Sequence, residues 1–215
     1  MSDPQTCMMR RSLLLIASLL ISFTCLLTSC QEHDEPLEYE NWQVRNERYI
    51  DSIAQVAQSN PSSWTRLRAY TYSNQLSADT DNSHYIYVQK LESGSGDYQP
   101  LFNDSVRIHY EGRLIASRSY PEGRVFDKSY LSTVADLKTD VPSLFGVSGL
   151  VVGVSTALMH MVEGDHWRVY VPWNLGYGKN SSSSSTSIPD YSTLIFDVRL
   201  AKIYRFQVDK DTSWH

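Results

Sequence analysis

Residues 106–130, VRIHYEGRLIASRSYPEGRVFDKSY, hold the side chains best suited to act on a ligand: Tyr110, Phe126 and Asp127. Val106, Ile108 and Tyr110 share one face of an extended chain, and Arg107, His109 and Glu111 share the other, the period of a half-buried strand. Gly112 lets the backbone bend, and after Pro121 and Gly123 the chain returns as Val125-Phe126-Asp127. An aromatic ring then stands beside an acid that a nearby tyrosine hydroxyl can satisfy. A pocket walled this way is mostly apolar with few polar groups, so its chemistry is recognition of an apolar group oriented by a few hydrogen bonds. His84, His109, His160 and His166 show no metal-ligand spacing. Asp79-Thr-Asp-Asn-Ser83 lacks the turn glycine and terminal glutamate of a calcium loop.

The elements that must position this pocket follow from periodicity. Tyr39, Trp42, Tyr49, Ile53 and Val56, with Asn46 in one slot, predict a helix over residues 39–58, stopped by Ser59-Asn60-Pro61. A short aromatic segment (Trp64, Tyr70, Tyr72) and a polar loop at 77–83 lead to a strand at 85–91, a turn at 93–96 and the strand at 106–110. Residues 133–144 carry no assignable pattern. Over 150–161, Val151, Val154, Leu158 and Met161 form one stripe of a helix with Ser155, Thr156 and His160 outward and a stop at Gly164. Trp167, Val169 and Val171 alternate with Arg168 and Tyr170 as a strand ending at Pro172. A loop with Asn174, Tyr177, Gly178 and a five-serine run reads as flexible filler. In the last strand Leu194, Phe196, Val198 and Leu200 oppose Ile195, Asp197, Arg199 and Ala201. Together these predict an α+β fold, a curved antiparallel sheet closed over one short amphipathic helix, preceded by a helical extension.

The N-terminus reads as a targeting segment. Arg10-Arg11 precede an apolar run too short for a membrane span, and the run ends in Leu27-Thr28-Ser29-Cys30. That tetrapeptide resembles the lipobox of bacterial lipoproteins, which implies a signal peptide over 1–29, a lipid on Cys30 and an acidic tether over 30–38. Cleavage there removes Cys7 and Cys25, so no disulfide forms within one mature molecule. Without residues 1–29 the chain keeps 17 basic and 23 acidic residues, a charge of −6. No basic cluster remains to favour nucleic acid or anionic lipid.

Residues 106–112, Val125-Phe126-Asp127, the helix within 149–164, Pro172 with Tyr177-Gly178, and Ile188-Pro189 with 193–198 occur in the order and spacing of the FKBP-type peptidyl-prolyl cis-trans isomerases. The chain resembles that family over about residues 85–204. The resemblance implies a twisted antiparallel sheet wrapped around a short helix, an isomerase domain over 84–206 and an aromatic cleft between helix and sheet. The helical extension then spans 39–83 and a C-terminal tail 207–215. The resemblance implies catalytic positions at Tyr110, Phe126, Asp127, Tyr177 and Phe196, and substrate-binding positions at Leu150, Val151, Val154 and Ile188. Phe126, Tyr110, Val154 and Phe196 would grip a proline ring. Tyr177 or the Val151 N–H would hold a carbonyl, and Asp127 would orient Tyr110 or polarise the amide.

Such a reaction breaks no bond and needs no cofactor or metal. Two departures stand out. The loop between Tyr177 and Ile188 is largely serine where the family places apolar contacts, and residues 128–132 lack an arginine that fixes the acid in well-known members. Val154 stands where a tryptophan usually floors the pocket. The implied partners are proline-containing polypeptides and, through Cys30, a membrane, with a homodimer through the N-terminal helix also open. The implied setting is a Bacteroidetes-like bacterial envelope lipoprotein, on the periplasmic or surface face of the outer membrane. A catalytically weak peptide-binding or chaperone module on the same fold is the alternative.

Overall fold

A computed structural model describes residues 37–73, 80–132, 136–179 and 188–206. The expected signal peptide, Cys30, most of the tether, Asp79, the serine run and the C-terminal tail lie outside the described residues. From Glu38 onward the chain forms one compact unit. Its elements are α1 (Trp42–Ser59), β1 (Trp64–Arg68), β2 (Tyr85–Glu92), β3 (Ser105–Leu114), β4 (Val125–Lys128), β5 (Ser143–Gly146), α2 (Val152–Leu158), β6 (His166–Val171) and β7 (Leu194–Tyr204). The strands make one antiparallel sheet in the order β1-β2-β6-β7-β3-β4, with β5 also paired to β3. It is therefore the α+β sheet-and-short-helix architecture expected from the pattern.

β3 and β7 are the long central pair, in register from Ser105 opposite Tyr204 to Leu114 opposite Leu194, with one irregularity at Arg107/Ile108. The other edge of β3 is shared: β5 pairs its first half and β4 its second. At the division, Tyr110 N–H donates to Ser129 Oγ (3.0 Å) and Ser129 N–H donates to the Tyr110 carbonyl (3.0 Å), so the backbone stays satisfied where the chain leaves the sheet.

One face of the sheet carries α2. Ile86, Val88, Val169, Val171 and Val198 pack beneath it, all essentially buried. The helix is shorter than expected: Val151 is extended, and the chain turns off the helix after Leu158, well before Gly164, which sits in the turn leading to β6. Ser155 and Thr156 are fully buried rather than outward. Both flanks of so short a helix are covered, and each hydroxyl finds an internal acceptor: Ser155 donates to Val147 O (2.7 Å) and Thr156 to Val152 O (2.8 Å).

The opposite face is closed by α1. The helix begins at Trp42 rather than Tyr39, and its buried stripe is Trp42, Asn46, Ile50, Ile53 and Ala57, so Val56 faces solvent. Asn60 Nδ2 caps its end on Val56 O (2.8 Å) just before Pro61. Tyr87, Tyr170 and Ile195, on the face that alternation assigns to solvent, are buried under this helix. Tyr170 stacks on Trp64 at 5.3 Å and meets Tyr49 at 6.3 Å. The aromatic segment around Trp64 is thus β1, an edge strand paired to β2, even though it precedes residue 84, the expected start of the domain. On the same face His109 and Glu111 are buried, Glu111 accepting from Arg113 and from the Tyr130 hydroxyl.

The segment before and within the first turn of α1 also fastens loops. Glu38 accepts from Ser117 and Ser119, Arg45 donates to Ala116 O (2.9 Å), and Arg124 donates to the Tyr39 hydroxyl (3.2 Å). The serine hydrogen bonds hold the Glu38 carboxyl below its ordinary pKa.

α2 lies so close to β6 that a Cβ on Gly153 would meet Val171 Cγ1 at 2.4 Å and Cγ2 at 2.8 Å. Overpacking of this kind costs about 1–3 kcal/mol, which outweighs a helix-propensity gain of about 1 kcal/mol from replacing glycine by alanine. Gly153→Ala is expected to lower the melting temperature, and calorimetry showing an unchanged or higher value would refute this packing.

Candidate active site

Between α2 and the sheet lies a cavity of about 260 Å³. Its walls come from β3 (Ile108, Tyr110), β4 (Asp127), β5 (Phe145), the turn Gly149-Leu150-Val151, Val154 of α2, Tyr177, and Phe196 and Val198 of β7. Period-two alternation sends Ile108 and Tyr110 inward from β3 and Phe196 and Val198 inward from β7. The register sets Tyr110 opposite Val198 and Gly112 opposite Phe196.

Seven residues singled out from sequence meet around this cavity: Tyr110, Asp127, Leu150, Val151, Val154, Tyr177 and Phe196. Phe126 is not on its wall. It stands edge-on to Phe196, with ring centroids 5.6 Å apart, and backs that ring from outside. Gly112 permits the arrangement, because a Cβ there would meet Phe126 Cζ at 2.6 Å and Phe196 Cε1 at 2.8 Å. Ile188 is almost fully buried and also off the wall, at the start of the segment leading into β7.

Phe145 is a wall residue that sequence reasoning missed. It packs edge-on against Tyr110 at 5.6 Å. β5 has only four residues and follows a stretch without periodicity, so its inward ring gave no signal.

The polar groups are few and placed at the rim. Tyr110 donates its hydroxyl to Asp127 Oδ2 at 2.7 Å, the one hydrogen bond to this carboxylate among the described residues. Burial, reinforced by that bond and by the Asp127 charge, pushes the Tyr110 hydroxyl well above the ordinary tyrosine range. Burial and the same carboxylate also raise Tyr177. Both hydroxyls therefore stay protonated, and stay donors, at any physiological pH.

Tyr177 is 42% exposed, and its hydroxyl has no hydrogen-bond partner among the described residues. The Val151 N–H, at the cap of α2, is likewise without an acceptor among them. Ser155 holds this turn by bonding Val147 O and, at 3.3 Å, Leu150 O. The site thus offers an apolar slot, two uncommitted donors at its edge and a carboxylate engaged by a tyrosine. No group of metal-binding side chains occurs among the described residues.

A profile for FKBP-type peptidyl-prolyl cis-trans isomerase matches residues 96–201. That segment belongs to the FKBP-type family. The FKBP-type domain is 36% identical over 118 residues to the "Macrophage infectivity potentiator" of Trypanosoma cruzi, covering 55% of this chain and 53% of that one. It is equally 36% identical over 118 residues to the "FKBP-type 22 kDa peptidyl-prolyl cis-trans isomerase" of Escherichia coli K12, covering 55% and 50%. The chain spans about half the length of these curated relatives. A solved peptidyl-prolyl cis-trans isomerase from Pseudomonas syringae superposes with a TM-score of 0.51 at 22% identity, covering 76% of this chain and 96% of that one, a likeness of fold. Four wall residues, Ile108, Phe145, Gly149 and Val198, were not among the site residues singled out from the sequence; they lie with the others inside the matched segment.

Proposed function

We propose that this protein is a peptidyl-prolyl cis-trans isomerase acting on proline-containing polypeptides during folding of exported proteins in the bacterial cell envelope. The observation that carries the reading is the apolar cavity rimmed by two uncommitted donors, the Tyr177 hydroxyl and the Val151 N–H, within an FKBP-type domain.

Rotation about an amide crosses about 18–20 kcal/mol because the C–N bond has partial double-bond character, and Xaa-Pro bonds isomerise unaided over about tens to hundreds of seconds. At the twisted transition state that resonance is lost and the carbonyl is less polar, so a dry environment favours it over the planar amide. A slot formed by Tyr110, Phe145, Val154 and Phe196 takes the proline ring, and Phe126 stiffens it from behind. Tyr177 or Val151 N–H holds a flanking carbonyl so that the ring end and the chain end are fixed while the bond between them turns. Asp127 fixes the Tyr110 ring through its hydroxyl. The reaction proceeds by tighter binding of the twisted than of the planar amide, with no covalent intermediate.

A second reading is a binding module that holds proline-containing segments with little acceleration. Val154 at the cavity floor and the serine composition of the loop after Tyr177 favour it, since both reduce apolar grip on the substrate. NMR exchange on a short Xaa-Pro peptide separates the two. Catalysed exchange is expected for residues 31–215, falling at least about tenfold in Phe196→Ala, the loss of roughly 1.4 kcal/mol of differential binding, and falling also in Tyr177→Phe and Asp127→Ala. No alkaline loss is expected below pH 10, the ordinary value from which both tyrosines are raised. Exchange at the uncatalysed rate alongside peptide-induced shifts of cleft resonances would establish the binding module instead.

The envelope setting is supported by the Leu27-Thr-Ser-Cys30 motif and by the name of another relative, 33% identical over 113 residues, the "Outer membrane protein MIP" of Legionella longbeachae. In this reading Cys30 carries lipid and the domain faces the periplasm or the cell surface. Labelled palmitate is expected to enter the protein in cells and to be lost in Cys30→Ser; equal labelling of that variant would remove the anchor.

A homodimer through α1 is the remaining partner raised by the sequence. The helix uses Trp42, Ile50, Ile53 and Ala57 on its own sheet, which leaves Val44 and Val56 as its exposed apolar residues. Sedimentation of residues 31–215 is therefore expected to show a monomer at micromolar concentration, and a dimer lost in Val44→Lys/Val56→Lys would show otherwise.

A further inference from the structure

Asn46 occupies a slot in the apolar stripe of α1 and is fully buried. Its amide is spent in two directions. Nδ2 donates to Trp42 O at 2.7 Å, and Oδ1 accepts from Thr193 N–H at 2.7 Å. One turn earlier, Trp42 Nε1 donates to Ser192 Oγ at 2.9 Å, and the Ser192 hydroxyl donates to Pro189 O at 2.6 Å. Two successive residues of the strap entering β7 are therefore held by one face of α1.

The strap in turn holds the cleft rim. Tyr191, next to Ser192, has φ of 60°, a left-handed conformation that a non-glycine residue keeps only when its surroundings enforce it. In that conformation its N–H donates to Gly178 O at 3.0 Å and its ring stands edge-on to Trp173 at 5.0 Å. Gly178 N–H donates to Trp173 O at 2.9 Å. Tyr177, whose hydroxyl is at the cavity, lies immediately before the residue that this pair of bonds clamps. The serine run between Lys179 and Ile188 supplies no apolar side chain to do the same work.

We infer that Asn46 and Trp42 are positioning residues that set Tyr177 at the cleft through the strap 189–193, so that the N-terminal helix tunes grip on the substrate. The route is a chain of hydrogen bonds between packed elements rather than proximity alone. The part of the argument that concerns substrate grip rests on the isomerase or peptide-binding reading above. The part that concerns Tyr177 does not.

The test uses the full-length protein in mild detergent, with fluorine-labelled tyrosine and the Tyr177 signal assigned by Tyr177→Phe. Trp42→Phe keeps an aromatic ring and removes the indole N–H; Asn46→Ala removes both amide bonds; Ile53→Ala loosens the same helix without touching the strap. A shifted or broadened Tyr177 signal is expected in Trp42→Phe and Asn46→Ala and not in Ile53→Ala. KM, or Kd where turnover is absent, for an Xaa-Pro peptide should rise about three- to tenfold in the first two, within the range of long-range coupling, with kcat changed less. If Asn46→Ala fails to fold, Trp42→Phe decides. A Tyr177 signal unmoved in folded Trp42→Phe, or moved equally by Ile53→Ala, overturns the inference and leaves these side chains as ties of stability only. A wild-type protein without catalysis would remove the isomerase reading, and the tyrosine signals would still decide the positioning.

Discussion

The shared outer edge of β3 is the constraint on which the rest depends. A strand paired continuously on both sides would present a flat, closed wall. Here β7 pairs β3 along its whole length, while β5 takes its first half and β4 its second. The division falls at Tyr110, where Ser129 replaces a strand partner by bonding both the N–H and the carbonyl. An unmade backbone bond at that point would cost a desolvated donor or acceptor. Because the serine closes it, the chain can leave the sheet there and return as β5. Asp127 and Phe145 then flank Tyr110 from two different strands, one bonding its hydroxyl and the other packing its ring.

The cavity fits a reaction that asks for little chemistry. Its apolar wall comes from alternate positions of β3 and β7, whose other faces are committed elsewhere: His109 and Glu111 to a buried polar layer, Ile195 to the layer under α1. Each strand therefore serves two packed layers at once, and that fixes its inward side chains more tightly than one layer would. Among the described residues two donors keep no acceptor: the Tyr177 hydroxyl, on a side chain 42% exposed, and the Val151 N–H, at the cap of α2. A helix leaves its first N–H groups without intrahelical partners, and Tyr177 sits in the turn that follows the short helical segment Trp173–Leu175.

Much of this was legible in the chain. β2, β3, β6 and β7 follow from alternation, and the ordered set of motifs around Tyr110, Asp127, Val151, Tyr177 and Phe196 brought seven wall residues to one cavity. What was not legible has physical causes. β1 reads only as a short aromatic segment because its five residues show no clean alternation of burial, and Arg66 and Arg68 lie in it, their guanidinium groups 4.1 Å and 5.8 Å from the Tyr85 ring centroid. Tyr170 sits where a one-sided sheet would place a solvent residue, and no local pattern shows that a helix from far upstream covers that side. Ser155 and Thr156 look exposed by type, yet their hydroxyls turn back to backbone carbonyls, Thr156 to Val152 one turn earlier and Ser155 to Val147 in the segment before the helix. Phe145 lies on a strand too short to show any period.

The N-terminal helix is where pattern and packing diverge most. The family match begins at residue 96, yet β1, β2 and α1 precede it and belong to the same compact unit. A cut at residue 84 would separate β1 from β2, hydrogen-bonded neighbours, and uncover Tyr87, Tyr170 and Ile195. Trp42, Ile50 and Ile53 are each buried by this contact. At about 1.5–3 kcal/mol per large apolar side chain, their loss is comparable with the whole net stability of a domain, about 5–15 kcal/mol. An Asn at position 46 makes sense only in that light. A leucine there would bury more apolar surface, but it would leave Thr193 N–H without its acceptor at the entry to β7. The helix keeps a polar residue in its stripe because it fixes backbone as well as covering the sheet.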